Sequence, residues 1–147
     1  MTHLLVGADH AGFALKEALV PVLKKLRVTV IDLTPRLQPD DDYPLIAHDL
    51  ADRIGPAQNN LGLLICGSGH GMDIAANRRV GVRAVVIRSP AEAKLAREHN
   101  HANVLVLGAW QTSFKQATSI IKAFFHARPN QAARHLRRIK EMDAPFA

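Results

Sequence analysis

Apolar residues along the chain fall into five short, nearly unbroken runs separated by longer stretches with helical spacing. The runs cover residues 4–8, 28–33, 61–65, 82–87 and 103–107, and are rich in Val, Ile and Leu. Each predicts a strand, and the central run predicts one buried on both faces. Between them, helices are expected over residues 13–26, from Tyr43 to about Ile54, over 72–78, and from Pro90 to about Glu98. Pro21 is awkward inside the first of these and predicts a kink or break there. Ser89 followed by Pro90 has the order that helix starts prefer. Thr112 or Ser113 is expected to cap a fifth helix with Phe114, Ala117, Ile120, Ile121 and Phe124 inward. A sixth helix spans about residues 131–142, with Leu136 and Ile139 expected to face the body. The β-α alternation predicts five mostly parallel strands between helical layers.

At 147 residues the chain is expected to form one domain, residues 1–147, large enough for a real core. The lone Cys66 excludes an intramolecular disulfide framework and fits a reducing compartment. No apolar run approaches the roughly 20 residues of a membrane span, and no leader-like segment opens the chain, so a cytoplasmic location is expected. The formal net charge of +6 favours an anionic partner. Aromatics are only 5% and are not interleaved with basic segments, which favours a small anion over nucleic acid.

The chemistry concentrates in residues 61–78, LGLLICGSGHGMDIAANR. Cys66 ends the central strand, and Gly67, Ser68, Gly69, His70 and Gly71 follow before a helix. Glycines leave backbone N–H groups unshielded, and with the helix N-terminus these stabilise negative charge. The same field is expected to lower the Cys66 pKa and favour thiolate. A glycine loop of this kind also binds nucleotides or simply turns the chain. In parallel sheets ligands sit at the carboxyl ends of strands, and Asp9, His10, Cys66, Ser68, His99 and Asn100 are all expected on or near that side. Arg134 and Arg138, four residues apart, share a helix face. The acidic stretch at 34–42, TPRLQPDDD, is expected to be a solvated loop. No His or Cys pair has metal-ligand spacing on a helix, so no metal is expected.

Taken together, GADHAGFALK at 7–16, DYP at 42–44, LLICGSGHGMDIAANR, GVRA at 81–84, REHN at 97–100 and NVLVLG at 103–108 resemble the type B ribose-5-phosphate isomerases. That family includes galactose-6-phosphate and allose-6-phosphate isomerases. The resemblance implies a Rossmann-like three-layer α/β/α sandwich with strand order 2-1-3-5-4, and a homodimer or dimer of dimers sharing its sites. It implies cofactor-independent, metal-free interconversion of aldose and ketose phosphates through an enediolate. By similarity Cys66 is the base, and Ser68 handles the hydroxyl and carbonyl oxygens. His99 opens the sugar ring with help from Asp9. Tyr43 and Asn100 touch the sugar, His10, Arg134 and Arg138 hold the phosphate, and Gly67, Gly69 and Gly71 form the cradle. Ribose 5-phosphate is the expected substrate. A four- or six-carbon sugar phosphate, or a non-catalytic nucleotide-binding module, is the alternative. Three positions depart from the family pattern: Asp73 for Ser, His101 for Asp, and Trp110 where an arginine often contacts the phosphate end.

Overall fold

The computed structural model describes residues 2–55 and 59–145. Five strands, β1 (His3–Ala8), β2 (Thr29–Asp32), β3 (Leu61–Cys66), β4 (Ala84–Val86) and β5 (Val104–Gly108), form one parallel sheet in the order β2-β1-β3-β5-β4. Between and after them run α1 (Phe13–Leu23), α2 (Tyr43–Ile54), α3 (His70–Ala76), α4 (Pro90–Asn100), α5 (Phe114–His126) and α6 (Ala133–Asp143). The strand order is the one implied by the family resemblance. β2 and β4 are shorter than their apolar runs, because an edge strand has a ladder on one side only.

Strand side chains alternate between faces. Leu63 and Ile65 point toward a core built with α1, α4 and α5, through Leu19, Leu23, Ala93, Ala96, Ile120, Ile121 and Phe124. Leu64 and Cys66 point to the opposite layer, against Ala47, Leu50 and Ile54 of α2 and Met72 and Ala76 of α3. The result is a three-layer sandwich.

Several local expectations are corrected. Pro21 lies inside α1 without breaking it, and the helix stops two residues later rather than at Leu26. Pro21 removes only one bond there, the one its missing N–H would give Glu17 near the helix end. α3 begins at His70, and its register is pinned by Asn77. The Asn77 Nδ2 donates to the Ala84 carbonyl (2.9 Å), and its Oδ1 accepts from the Ala84 N–H (2.8 Å). Ser113, not Thr112, caps α5, through a capping box with Gln116. In α6 the buried residue is His135, with Ile139 half-buried one turn on, while Leu136 is exposed. Positions 135 and 139 share a face, and Leu136 lies about 100° away from His135.

A buried cation organises the carboxyl ends of β1 and β2. Lys16 is 0% exposed, and its ammonium donates to Asp32 Oδ2 (2.7 Å), Glu17 Oε1 (2.6 Å) and the Thr34 carbonyl (2.9 Å), above the Phe13 ring. Three donors meet three acceptors, which is what makes a buried ammonium tolerable. Thr34 Oγ1 in turn accepts from the Ala8 N–H (3.0 Å), the last link before Asp9. Replacing Lys16→Met is expected to destabilise the protein by about 2–4 kcal/mol in denaturant titration. The value sits below that of a fully buried pair because Asp32 and Glu17 keep some water. A loss under about 0.5 kcal/mol, the range of surface substitutions, would show that the ammonium is not a structural tie.

Candidate active site

The end of β3 and the loop after β1 build the first group of site residues. Cys66, 4% exposed, faces the α2/α3 layer, and its sulfur accepts backbone N–H bonds from Gly69 and Met72. Those donors are aimed by Gly69, whose φ of +87° is left-handed and suited to glycine. Ser68 Oγ accepts from the His70 N–H (3.2 Å), holding the same turn. Asp9 continues β1 beside the thiol: its N–H donates to the Ile65 carbonyl (3.2 Å), and its Oδ1 accepts from the Gly12 N–H (3.0 Å). Asp9 is buried, with its charge near enough to act on Cys66.

Three rings frame this group. His10 follows Asp9 and is exposed, with its Nδ1 2.9 Å from Asp41 Oδ1. Tyr43, at the start of α2, lies over Gly71, where a Cβ would collide with the ring. Trp110 lies over Gly67: a Cβ there would stand 2.5 Å from Trp110 Cζ2. Gly67 and Gly71 are therefore small because two aromatic rings occupy the space above them. Trp110 is still 74% exposed, an aromatic wall at the rim of the cysteine loop.

The other predicted residues are elsewhere. His99 and Asn100 form the last turn of α4 rather than a loop, and they are not at the carboxyl ends of the strands. A helix following a parallel strand runs back, so its C-terminus returns to the amino edge of the sheet. There the Asn103 carbonyl accepts from the Gly62 N–H (2.8 Å), four residues before Cys66, or roughly 13 Å of strand away. At that edge His99 stacks on His135 of α6, with centroids 4.8 Å apart and planes at 20°. Arg134 and Arg138 are exposed on the same helix. His135 has its pKa lowered by burial first, then by the charges of Arg134, His99, Arg138 and His101. That crowding of positive groups marks a place suited to an anion. Within one chain it does not meet Cys66.

Electrostatics at Cys66 run opposite to the expectation of a lowered pKa. Burial pushes the thiol pKa up, the Met72 and Gly69 N–H groups pull it down by less, and the Asp9 charge adds to the rise. Sequence reasoning weighed the donors without the depth of the sulfur.

The three departures from the family pattern separate by location. Asp73 is a strut: its carboxylate accepts from Asn77 Nδ2 (2.8 Å) and from the Val86 N–H, with its pKa raised chiefly by burial. His101 caps α4 in a left-handed conformation (φ 48°), with its carbonyl accepting from Arg83 Nε (3.2 Å) and its ring Nε2 2.8 Å from the Asn130 carbonyl. Trp110 stands over Gly67 of the cysteine loop, and Asp73 sits in the first turn of the helix that follows it, its N–H donating to the Gly69 carbonyl (3.1 Å). His70 is exposed, 3.5 Å from Arg88 Nη2, and does not join the Cys66 group. Two participants had no separate signal in the sequence: Asp41, one carboxylate in an acidic run, and His135, a histidine on a basic helix. Among the described residues no cluster of three or more His, Cys, Asp or Glu could hold a metal, and no helix is long and apolar enough to cross a membrane.

A parallel α/β sandwich with a thiol, a carboxylate and a glycine cradle at the strand ends has the ligand crevice of its class at that edge. The chain belongs to the ribose/galactose isomerase family, whose model matches residues 4–142. It is 37% identical over 144 residues to ribose-5-phosphate isomerase B of Escherichia coli, covering 98% of this chain and 96% of that protein. With the Mycobacterium tuberculosis ribose-5-phosphate isomerase B it shares 38% over 135 residues, 91% of this chain and 83% of that one. Among solved structures, the Mycoplasma genitalium ribose-5-phosphate isomerase B with bound ribulose-5-phosphate superposes with a TM-score of 0.89 at 36% identity. That match covers 96% of this chain and 93% of that one. The Trypanosoma cruzi type B enzyme gives a TM-score of 0.92 at 33% identity, over 97% and 95% of the two chains.

A raised thiol pKa means that Cys66 is protonated at neutral pH and ionises later than a free cysteine. Alkylation by iodoacetamide is therefore expected to be slow at pH 7.5 and to climb to a midpoint above the ordinary cysteine value. A midpoint at or below that value would show that the backbone donors outweigh burial.

Proposed function

We propose that this chain interconverts ribose 5-phosphate and ribulose 5-phosphate without a cofactor, with Cys66 as the proton-transfer base. The observation that carries the reading is the Cys66 sulfur held by two backbone N–H groups, with Asp9 beside it at the end of a central parallel strand. Cys66 acts in its ionised form, its own proton having passed to solvent: the thiolate takes the proton from C2 of the open aldose, and the electrons pass into the C1 carbonyl to give an enediolate. The proton returns to C1 while the C2 oxygen becomes the carbonyl. This needs a base on one side of the carbon and donors for the developing oxyanion. Gly67, Gly69 and Gly71 supply the backbone cradle, and Ser68 shuttles the proton between the two oxygens. Tyr43 covers the sugar.

Ring opening by His99 and Asp9, sugar contact by Asn100, and phosphate binding by Arg134 and Arg138 complete the proposal. Since His99, Asn100, Arg134 and Arg138 lie at the opposite edge of the sheet from Cys66 and Asp9, the complete site takes these four from a second copy of the chain. A homodimer is the smallest such assembly, and a dimer of dimers keeps the same contact. The 147 residues act as one isomerase domain, placed in the cytoplasm.

The direct test incubates metal-free protein with aldose phosphates of four, five and six carbons and measures ketose formation. Ribose 5-phosphate is expected to give the highest kcat/KM, and no turnover on any of the three would overturn the proposal. Cys66→Ala is expected to keep the fold and to lower kcat by roughly 10²–10⁴-fold. Near-normal turnover would assign the base elsewhere. For Trp110→Arg, restoring a charge at the phosphate end is expected to tighten substrate by roughly one to two powers of ten and to change the ratios among the three sugars. Unchanged ratios in a folded variant would remove Trp110 from the determinants of substrate choice.

A further inference from the structure

The loop between β2 and α2 was expected to be solvated, yet one of its carboxylates is engaged at the site. Asp41 Oδ1 accepts from the His10 backbone N–H and also meets the His10 ring at Nδ1, both at 2.9 Å. One oxygen thus ties the loop after β1 to the loop after β2 and fixes the imidazole's orientation. The Asp41 N–H donates to the Gln38 carbonyl (3.2 Å), so the carboxylate is presented by an ordered turn. His10 Nε2 points away from this pair and has no protein partner among the described residues.

We propose that Asp41 is a positioning residue for the phosphate group: it holds His10 by Nδ1 so that Nε2–H grips the substrate's phosphate as a cation. The inference rests on the isomerase reading above and deepens it at the phosphate end. A neutral imidazole that gives its only proton to Asp41 would turn the Nε2 lone pair toward the phosphate and repel it. Only the doubly protonated ring both satisfies Asp41 and donates to an anion. The groups acting on the ring are Asp41 across the loop and Asp9 beside it. The Asp41 hydrogen bond raises the His10 pKa most, burial works against it, and the charges of Asp9 and Asp41 add to the net rise. Arg36 lines the same small cleft as Asp41. Trp110, standing where the family often carries arginine, adds no charge, which leaves more of the grip on this chain's strand-end loops to His10.

The sign of the pH effect follows. With a raised pKa the ring stays protonated to higher pH, and the phosphate grip is lost as pH climbs through that pKa. Asp41→Asn keeps an oxygen for both hydrogen bonds and removes the charge, so His10 loses its proton earlier. The variant is expected to match the natural protein in KM near pH 5.5 and to rise roughly tenfold above it by pH 8, with kcat little changed. Inhibition by inorganic phosphate is expected to weaken along the same curve. His10→Gln is expected to show the high KM at every pH and to gain nothing further from Asp41→Asn. In the natural protein, the His10 imidazole followed by NMR is expected to titrate above an ordinary histidine and to shift with added phosphate. Parallel KM–pH curves for the natural protein and Asp41→Asn, with an unshifted His10 titration, would overturn the inference. The NMR arm needs no turnover, so an inactive protein would defeat the isomerase reading and still leave this one decided.

Discussion

In a parallel sheet every strand ends, and every following helix begins, at one edge, and that single constraint divides the candidate site residues of this protein. Cys66, Asp9, His10, Ser68, Tyr43 and Trp110 all leave strand ends or start helices, so they gather at the carboxyl edge. His99 and Asn100 end a helix, so they lie at the amino edge, where α6 adds Arg134, His135 and Arg138. No side chain spans such a distance. Each edge has its own chemistry: a thiol with oxyanion donors at one, and crowded positive charge at the other. The proposed isomerase reaction draws on both at once, and the proposed shared site takes them from two copies of the chain.

Within the carboxyl edge, burial and hydrogen bonding pull in opposite directions. Depth in the α2/α3 layer keeps the Cys66 proton on sulfur, while two N–H donors are already aimed at the thiolate. Such a group releases its proton reluctantly, and the thiolate, once formed, is a stronger base than a surface cysteine would be. The Lys16 cluster serves the same edge from below, since Thr34, which it holds, closes the β1 ladder one residue before Asp9.

Much of this was legible in the residues. Nearly unbroken apolar runs located all five strands, the three central ones because strands covered on both faces have no polar period, and the edge strand β2, with Thr29 and Ile31 exposed, through its β-branched residues. The GSGHG loop announced a strand-to-helix turn, since left-handed Gly69 and the ring-covered Gly67 and Gly71 need glycine for physical reasons. Side-chain reach across the fold was not legible. Asp41 looked like one acid in a run because its partner lies 31 residues away. His135 looked like part of a basic face because its inward turn depends on stacking with His99. The ionisation of Cys66 was misjudged for a related reason: adjacency shows the donors, whereas burial is set by two distant helices. The end of α4 was drawn two residues short, and that small slip hid which edge of the sheet His99 belongs to.

The central claim is that one site takes its thiol from one chain and its histidine from another. The measurement that tests it mixes two inactive variants, Cys66→Ala and His99→Ala, in equal amounts under conditions of demonstrated subunit exchange. If the site is shared in a twofold dimer, each mixed dimer holds one intact site, and activity recovers to about a quarter of the natural protein's. If Cys66 and His99 served the same site from one chain, no mixed dimer would contain an intact site. Activity would then stay at the level of the separate variants, contradicting the account.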